Sequence, residues 1–565
     1  MATTTEVDDA GLLKPATPLP DTGWVALGAA AFVAIIHLAP AVGLGPGSLD
    51  GDLGIQFFLG GQTARGAIPL VDFEHTWNVG SWYFNALLQR VAGGDPSIWL
   101  YLWGRVFGPV LAAVTAIGVL YRLRLRSEWI LIGAGSWLAL SHVVHSKYAI
   151  PIVWVFVLLP TGRAVSLRRA VVTRALLAGV TMLCQVELAV LLGGGVMLFD
   201  LIGSDVWSSR PGPRAGFWRP RILRAAAVPI GAALALAIEL GVYAWIGQPP
   251  GEILRQLFSN AAETAPGFNY GYPVFGAPSL RPKLFAASLL VAFIPLVWQR
   301  ISTSTRLVAC LHLAQALIAI RRPDPAHVDA ATTLLGLLVV LIVHDLVTHP
   351  RQQLGRRPVV EWVRGHRLLG IGALVGGAAI IAVATVTAFS TDSLLAVAVP
   401  TVLLVAGAVL GSHPRAPTAV LSVGAAAVVT VVLLGSLGGG VSASLRSGDA
   451  QVALGAAASD LAQPLDSCTG GGRVAWIVPG PLPLYTELGI TNPTPYTVFW
   501  YGFRAEQGRV RAMLDGGEIP AIVQVGSGWP ESFGDLPDVI EQGFTPCASV
   551  PVATLGQPVT IWVQN

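Results

Sequence analysis

Long apolar runs alternate with short polar segments along residues 23–439. A transmembrane helix needs roughly 20 apolar residues, and somewhat fewer when it is short or broken. Runs of this kind lie at 23–43, 97–120, 128–143, 148–161, 175–185, 187–204, 224–246, 282–299, 306–320, 328–347, 367–390, 393–412 and 416–439. The pattern predicts an α-helical polytopic membrane domain with about 13 transmembrane helices. The runs at 128–161 and 175–204 are each compatible with one long helix or with two short ones.

The chain changes character after about residue 440. A Gly/Ser/Ala linker is followed by two short apolar runs at 474–478 and 521–525, which are typical of buried strands. A helical pattern at 505–514 lies between them, and a last strand pattern lies at 559–563. We therefore expect residues 440–565 to form a small α/β domain.

Composition supports a membrane solvent for most of the chain. Hydrophobic residues make up 53% of the 565 residues and charged residues only 12%, with a mean hydropathy of +0.64. Ordinary soluble domains carry about 25% charged residues. The net charge is +3 and the basic residues are scattered, which excludes nucleic acid as a partner.

Arginine placement predicts the orientation of the chain. Under the positive-inside rule, the cytoplasmic loops are those richest in basic residues. Twenty of the 35 Lys and Arg residues fall in alternate loops at 122–126, 163–174, 210–224, 300–306, 351–367 and 415. We expect a short disordered cytoplasmic tail at residues 1–22 and an uncleaved first helix. The first outer loop (44–96) and the α/β domain then lie outside the cytoplasm, in a multi-pass protein of the inner (plasma) membrane.

The first outer loop holds the residues with the clearest chemical potential. Asp50 and Asp52 follow the first apolar run, with only Gly51 between them. At the membrane surface one carboxylate can act as a base while the other positions a hydroxyl or a metal ion. A Gly/Asp turn that leads into an interfacial helix is the alternative explanation for the pair taken alone.

Residues 65–75 follow the acidic pair with the sequence Arg-Gly-Ala-Ile-Pro-Leu-Val-Asp-Phe-Glu-His. An acidic pair followed by Arg-Gly-x-x-Pro-Leu-x-Asp-Phe and aromatic residues resembles the first loop of GT-C fold glycosyltransferases. That superfamily includes protein O-mannosyltransferases and lipid A aminoarabinose transferases. The resemblance covers roughly residues 23–350 in pattern. It implies a polyprenyl-phosphate sugar as donor and an acceptor-activating aspartate, here Asp50 or Asp52, since Gly51 separates acids that are adjacent in many relatives.

A second motif, Arg321-Arg-Pro-Asp-Pro-Ala-His327, follows a predicted helix at the outer surface. Arginine offers bidentate donors to phosphate, and histidine can donate to a leaving oxygen. The motif resembles an Arg-x-Asp-x-x-His segment of actinobacterial lipid-linked sugar transferases, which implies that Arg321, Arg322 and His327 bind the donor phosphate. The alternative is a charged helix boundary that is capped by Asp324.

Further polar residues lie on the same predicted face. His145 and Lys147 occupy an outer turn and are suited to a phosphate or to anchoring at the interface. Glu187 lies beside Gln185 at an apparent bend, where an ionisable group at membrane depth is a functional candidate. A glutamate satisfied by the neighbouring backbone is the alternative. We expect substrate contacts from four acidic or imidazole side chains, namely Asp72, Glu74, His75 and Glu187.

Together these features predict an inverting glycosyltransferase that moves a hexose or pentose to an extracytoplasmic acceptor, a cell-envelope glycan or glycolipid. The Asp-x-Asp pair would suit a divalent cation, although the sequence requires none. A transporter or lipid flippase is the alternative from another class. In that case Glu187, Glu239 and the pair His344 and Asp345 would be coupling residues inside the membrane.

The four cysteines divide into two kinds. Cys184 and Cys310 lie in apolar runs, where a lone cysteine usually acts as a small hydrophobic residue. Cys468 and Cys547 both lie in the polar C-terminal region, outside the cytoplasm by the predicted orientation, where disulfides persist. We therefore expect a disulfide between Cys468 and Cys547.

The arginine pattern generates a topology prediction. A reporter that is active only outside the cytoplasm should be active when fused after residue 565, and inactive when inserted near Arg124, Arg219 or Arg357. The reverse activity pattern would overturn the predicted orientation.

Overall fold

The structure is a computed structural model. It describes residues 21–38, 51–73, 78–141, 146–159, 166–202, 218–267, 280–297, 301–321, 327, 330–348, 455–478, 483–494, 504–529 and 533–565. The helices up to residue 348 are α1 (Asp21–Leu38), α2 (Gly51–Ala64), α3 (Val79–Val91), α4 (Pro96–Tyr101), α5 (Leu111–Arg122), α6 (Ser127–Leu140), α7 (Ile150–Leu158), α8 (Leu167–Cys184), α9 (Val186–Ile202), α10 (Trp218–Trp245), α11 (Pro250–Gly267), α12 (Leu280–Val297), α13 (Thr303–Arg321) and α14 (Leu335–Thr348). A π-helical segment, Leu102–Val110, joins α4 to α5, and a 3₁₀ turn, Ser146–Ala149, precedes α7.

The first ten predicted apolar runs each coincide with a helix in the structure, and both ambiguous runs hold two helices. The remaining three runs, at 367–390, 393–412 and 416–439, lie outside the described residues. Two continuous described helices, Ile98–Arg122 and Arg219–Trp245, are long and apolar enough to cross a membrane, and Thr22–Leu38, Lys147–Leu158 and Leu335–Asp345 are shorter apolar helices.

The exposed face of α10 is apolar, as expected of a helix that is surrounded by lipid. Ile230, Leu234, Ile238 and Val242 recur every four residues, and each is more than half exposed. Residues four apart share one face of a helix, so the four side chains form a continuous apolar stripe. Soluble monomers rarely expose such a stripe, whereas lipid solvates it without penalty.

Helices α8 and α9 form a hairpin that turns at Gln185, whose extended backbone separates them. At the far end of the hairpin, the Arg174 guanidinium donates to both carboxylate oxygens of Asp200, at 2.5 and 2.8 Å. Both side chains are buried, and Arg224 of α10 lies 3.8 Å from the same carboxylate. A buried carboxylate requires such partners, so these contacts hold together α8, α9 and α10.

Asp345 near the end of α14 secures the start of α13. Its Oδ2 accepts from the Ser302 backbone N–H at 2.8 Å and from the Thr305 hydroxyl at 2.7 Å. The first amides of a helix have no partner within the helix, and a carboxylate there satisfies them and favours the helix dipole. Asp345, which would be a coupling residue in a transporter, therefore caps the start of α13.

A network of amides and indoles packs α2 and α3 of the first outer loop onto α4 and the π segment. Asn85 Nδ2 donates to the Gln56 carbonyl at 2.6 Å, and Trp99 Nε1 donates to Asn85 Oδ1 at 2.7 Å. Trp103 Nε1 of the π segment donates to Gln56 Oε1. All four side chains are buried, and these three bonds satisfy the Asn85 amide, both indole N–H groups and Gln56 Oε1.

Residues from 455 onward form an α/β unit with a mixed four-stranded sheet in the order β1-β2-β4-β3. The strands are β1 (Trp476–Val478), β2 (Ala521–Val525), β3 (Phe544–Val552) and β4 (Gln557–Gln564). Strands β1 and β2 are parallel, and the other two pairs are antiparallel. The helices are α15 (455–469), α16 (Pro483–Glu487), α17 (Arg504–Asp515) and α18 (Leu536–Gly543).

The two faces of this sheet bury different partners because side chains alternate along a strand. Ile522 of β2 points into a cluster with residues of α17 and α18. Ala521, Val523 and Val525 point the other way, into a cluster that also contains residues of α15, α16 and the first outer loop. The α/β unit is thereby packed onto the membrane domain.

The contact with the first outer loop is aromatic and apolar. Ile55, Phe58 and Leu59 of α2 share one buried cluster with Tyr485 of α16, and the rings of Phe58 and Tyr485 lie 5.7 Å apart. Burial raises the pKa of Tyr485, so its hydroxyl stays neutral and accepts a hydrogen bond from the Ile477 amide at 2.7 Å.

Cys468 at the end of α15 and Cys547 in β3 form a disulfide, with Cα atoms 5.9 Å apart. The ladder between β3 and β4 shifts register between Pro546 and Ala548, so Cys547 occupies the irregular position. The bond closes a sequence separation of 79 residues around the α/β unit. Cys184 and Cys310 remain free thiols.

Removing the disulfide should destabilise the α/β unit. A C468A/C547A variant should lose roughly 4 kcal/mol of unfolding free energy in the chain-entropy model, because the unfolded loop is no longer closed. Limited proteolysis of the purified full chain should then cut within 455–565 at lower denaturant concentration than in the wild type. A C184A/C310A variant is the control. Equal protease resistance of the two double variants would contradict the prediction.

Candidate functional site

Several of the predicted site residues fall where the structure gives no side-chain detail. Asp50, Glu74, His75, His145 and Arg322 lie outside the described residues. Asp52 lies in the first turn of α2, and Arg321 is the last residue of α13, but their side chains are also outside the description. Asp72, Lys147, Glu187 and His327 are described.

The motif at 65–73 folds as a compact turn, and Asp72 helps to close it. Asp72 Oδ2 accepts from the Ile68 amide at 2.6 Å, and the Asp72 amide donates back to the Ile68 carbonyl at 2.9 Å. Leu70 is buried and has a φ of 64°, a left-handed conformation that is uncommon outside glycine. Asp72 thus has a structural role in this turn, and its predicted contact with substrate stays a prediction.

Two neighbouring helices hold this turn by its backbone. The Tyr243 hydroxyl of α10 donates to the Pro69 carbonyl at 2.6 Å, and Gln256 Nε2 of α11 donates to the Leu70 carbonyl at 3.2 Å. Leu70 also packs with Tyr243, Ile253 and Leu257. These contacts supply the surrounding structure that a strained backbone conformation requires.

On α11 an ion pair lies next to the contact that Gln256 makes with the turn. Arg255 donates to both oxygens of Glu252, at 2.6 and 2.9 Å. These bonds hold the pKa of Glu252 below its usual range. Because both side chains are well exposed, water screens the pair and it adds little to stability.

Asn78 attaches the first outer loop to two membrane helices. Its Nδ2 donates to Glu239 Oε2 of α10 at 3.2 Å, and its Oδ1 accepts from the Val186 amide at the start of α9 at 3.2 Å. The Val79 amide donates to Glu239 Oε1 at 3.4 Å. Asn78 is fully buried, so one side chain joins α3, α9 and α10. We refer to this set of contacts as the Asn78 clamp.

Two further contacts extend the Asn78 clamp along the hairpin of α8 and α9. The Ser81 hydroxyl donates to the Cys184 carbonyl at 2.5 Å. A Cβ atom at Gly80 would lie 2.7 Å from the Leu183 carbonyl oxygen, so only glycine permits this approach. Glu187 lies half-buried in the first turn of α9, beside the residue that Asn78 binds. A carboxylate at that position is favoured by the helix dipole.

Two segments with predicted site residues flank the π segment at one end of the helix bundle. Trp103 of the π segment donates to Gln56, which follows Asp52 by one helical turn. The π segment also packs against the turn Ser146–Ala149. That turn carries Lys147, whose ammonium lies 5.0 Å from the centre of the Tyr148 ring.

The segment around His327 reaches the same end of the bundle through α6 and α14. The Ser141 hydroxyl, at the end of α6, accepts from the Gly336 amide at 3.1 Å. Gln315 Nε2 donates to the Ala330 carbonyl at 2.6 Å. His327 is buried, and it lies in the sequence between the end of α13 and Ala330. The structure therefore brings the elements of Asp52, Lys147 and His327 to one end, while Arg174 and Asp200 lie at the other.

Within the described ranges, no group of three or more His, Cys, Asp or Glu residues is arranged as a metal site. The described polar side chains near α2, the helix that carries Asp52, are isolated cationic and amide groups. Sequence reasoning missed Gln56, Asn78 and Tyr243. The signal for Asn78 was weak, because a single asparagine without a motif is common at the start of a helix.

The helical bundle, its long outer loop and the packed α/β unit make up a polytopic helical membrane fold that is similar to that of ArnT. The structural similarity is to a crystal structure of ArnT from Cupriavidus metallidurans bound to undecaprenyl phosphate, with a TM-score of 0.50 and 14% sequence identity over 96% of this chain and 98% of that chain. The apo structure of the same protein gives a TM-score of 0.48 at the same identity and coverage. No protein-family model and no curated protein matches the sequence.

The Asn78 clamp generates a stability prediction. Replacing Asn78 with Asp would remove a donor and place a second carboxylate beside Glu239, so we expect the unfolding free energy to fall by about 3 kcal/mol or more. Thermal unfolding of the full chain in detergent should show a clearly lower Tm. In an N78D/E239Q variant the amide can donate to the new carboxylate, and part of the loss should be recovered.

The control for this experiment is Gln542→Glu, which adds the same charge at an exposed position of α18. It should leave the Tm nearly unchanged. An N78D protein as stable as the wild type would show that Asn78 and Glu239 do not form the attachment.

Proposed function

We propose that this protein is a membrane glycosyltransferase that transfers a sugar from a polyprenyl-phosphate carrier to an acceptor outside the cytoplasm. One observation carries the proposal: in a GT-C fold, the elements that carry Asp52, Lys147 and His327 lie at the same end of the bundle. A carboxylate and several cations at one membrane surface are what transfer from a lipid phosphate needs.

The proposed mechanism is an inverting displacement in one step. Asp50 or Asp52 takes the proton of an acceptor hydroxyl while that oxygen forms a bond to the anomeric carbon. The bond between the anomeric carbon and the phosphate oxygen breaks at the same time, and polyprenyl phosphate leaves with the bonding electrons. Cationic side chains stabilise the charge that grows on the phosphate. This set comprises Arg321, Arg322, His327, Lys147 and His145.

The fold similarity supports a lipid phosphate as the ligand, because the ArnT structure with this fold has undecaprenyl phosphate bound. We propose the inner (plasma) membrane as the location, with the α/β unit outside the cytoplasm. Its packing on α2 supports a position on the side of the proposed acceptor, which we take to be a cell-envelope glycan or glycolipid. Asp72, Glu74, His75 and Glu187 are proposed to contact the sugar or the acceptor.

The contacts of the candidate coupling residues argue against a transporter. Glu239 binds Asn78 and the Val79 amide, and Asp345 caps the start of α13. The two carboxylates lie at different ends of the bundle, and each has structural partners. A coupling residue must instead exchange a proton or an ion along a path through the membrane.

Activity measurements test the proposal. The full chain in nanodiscs, supplied with a set of undecaprenyl-phosphate sugars and a cell-envelope extract, should release undecaprenyl phosphate. Loss of a general base typically slows the reaction by about 10²- to 10⁴-fold, so D50N or D52N should lose that much kcat with a nearly unchanged KM for the donor. R322A should raise the KM for the donor as well.

Asp460→Asn, which alters an exposed carboxylate of α15, is the matched control and should keep full activity. Full activity in both D50N and D52N would remove the proposed base. Coupled flux of an ion or lipid without release of undecaprenyl phosphate would favour the transporter.

A further inference from the structure

Arg105 lies inside the first long apolar helix, Ile98–Arg122. It lies in the π segment, which also contains Pro109. Short π-helical segments are rare and are frequently found at functional sites, because they alter the direction of side chains along a helix. An ionisable residue within a membrane helix is itself a candidate for function.

The guanidinium of Arg105 is half-buried and makes no hydrogen bond or ion pair within the part of the chain that the structure describes. Other arginines near the membrane have partners: Arg174 binds Asp200, Arg122 donates to the Phe156 carbonyl, and Arg306 donates to the Pro295 carbonyl. A charged side chain within a membrane helix is costly unless it finds a partner. An anionic ligand would offset that cost.

The depth of Arg105 fits a ligand at the membrane surface. It precedes Arg122, at the predicted cytoplasmic end of α5, by 17 residues. At about 1.5 Å per residue the two arginines are separated by about 25 Å along the helix. The hydrocarbon core is about 30 Å thick, so Arg105 lies near its opposite boundary. The phosphate of a lipid is found at this depth.

A second cationic side chain, Lys147, lies on an element that packs against the π segment. Residues two apart lie on roughly opposite sides of a helix, so Arg105 points away from α2 and α3, which Trp103 faces. The other elements packed on the π segment are α1 and the turn Ser146–Ala149, which carries Lys147. Helix α1 ends at Leu38, 12 residues before Asp50 in the sequence.

We propose that Arg105 binds the phosphate of a lipid-linked phosphate monoester, together with Lys147, at the outer boundary of the membrane. A planar guanidinium can donate two parallel hydrogen bonds to two phosphate oxygens, a geometry that an ammonium does not offer. The inference deepens the proposed function and rests on it for the identity of the lipid. A bulk phospholipid presents a related phosphate, so the experiment compares the two sources.

The test measures binding of three lipids to the full chain in nanodiscs: undecaprenyl phosphate, the neutral alcohol undecaprenol, and phosphatidylglycerol. The wild type should bind undecaprenyl phosphate at least tenfold more tightly than either other lipid. Arg105→Gln should weaken that binding about tenfold and leave undecaprenol binding unchanged. Arg105→Lys should recover part of the loss, because it restores charge without the bidentate geometry.

The thermal stability of the lipid-free protein separates ligand binding from a structural role. Removal of an intramembrane charge that has no partner among the described residues should leave the Tm of R105Q equal to or above that of the wild type. A structural arginine would give a lower Tm. The charge-matched control is Arg126→Gln, an exposed position just before α6, which should change neither lipid binding nor Tm.

Wild-type affinity of R105Q for undecaprenyl phosphate would overturn the inference, and so would equally tight binding of phosphatidylglycerol. These results are distinguishable from failure of the proposed function. Binding that depends on Arg105, without transfer from any donor, would remove the transferase proposal alone. Transfer that depends on Asp50 or Asp52, with unchanged lipid binding in R105Q, would remove only the role of Arg105.

Discussion

A carboxylate inside a membrane protein needs hydrogen-bond donors, and Glu239 finds its donors in the first outer loop. Asn78 Nδ2 and the Val79 amide donate to it. Asn78 Oδ1 accepts from the Val186 amide at the start of α9. These bonds fix the start of α3 between two membrane helices. The position of α2, and with it the segment of Asp52, follows from how α2 packs against α3.

The α/β unit holds the same loop from the other side. Phe58 and Leu59 of α2 are buried with Tyr485 and with one face of the sheet. Between these layers, the turn at 65–73 is held by Tyr243 and Gln256. A loop of more than 40 residues would ordinarily be mobile, but the described part of this one is held by the α/β unit, by α9 and α10, and by α11. Such immobilisation suits a site that must place an acid residue precisely beside a lipid phosphate.

The helices could be predicted from the sequence, whereas most of the contacts could not. The helices could be located because a helix that crosses the membrane needs a continuous apolar segment, which is visible in the sequence. Asn78 and Glu239 are 161 residues apart, and no periodic pattern relates them. Strand β3 was missed because Pro546 and Pro551 interrupt it, and prolines are tolerated there since β3 is an edge strand. The motif at 65–73 suggested the family, yet the described contacts of Pro69, Leu70 and Asp72 are those of a turn.

The most direct measurement is a structure of the full chain in a nanodisc with undecaprenyl phosphate bound. We predict phosphate density at the end of the bundle where α2, the turn Ser146–Ala149 and His327 lie. The polyprenyl chain should extend from there along the membrane helices. Density for the phosphate at the opposite end, beside Arg174 and Asp200, would contradict the account.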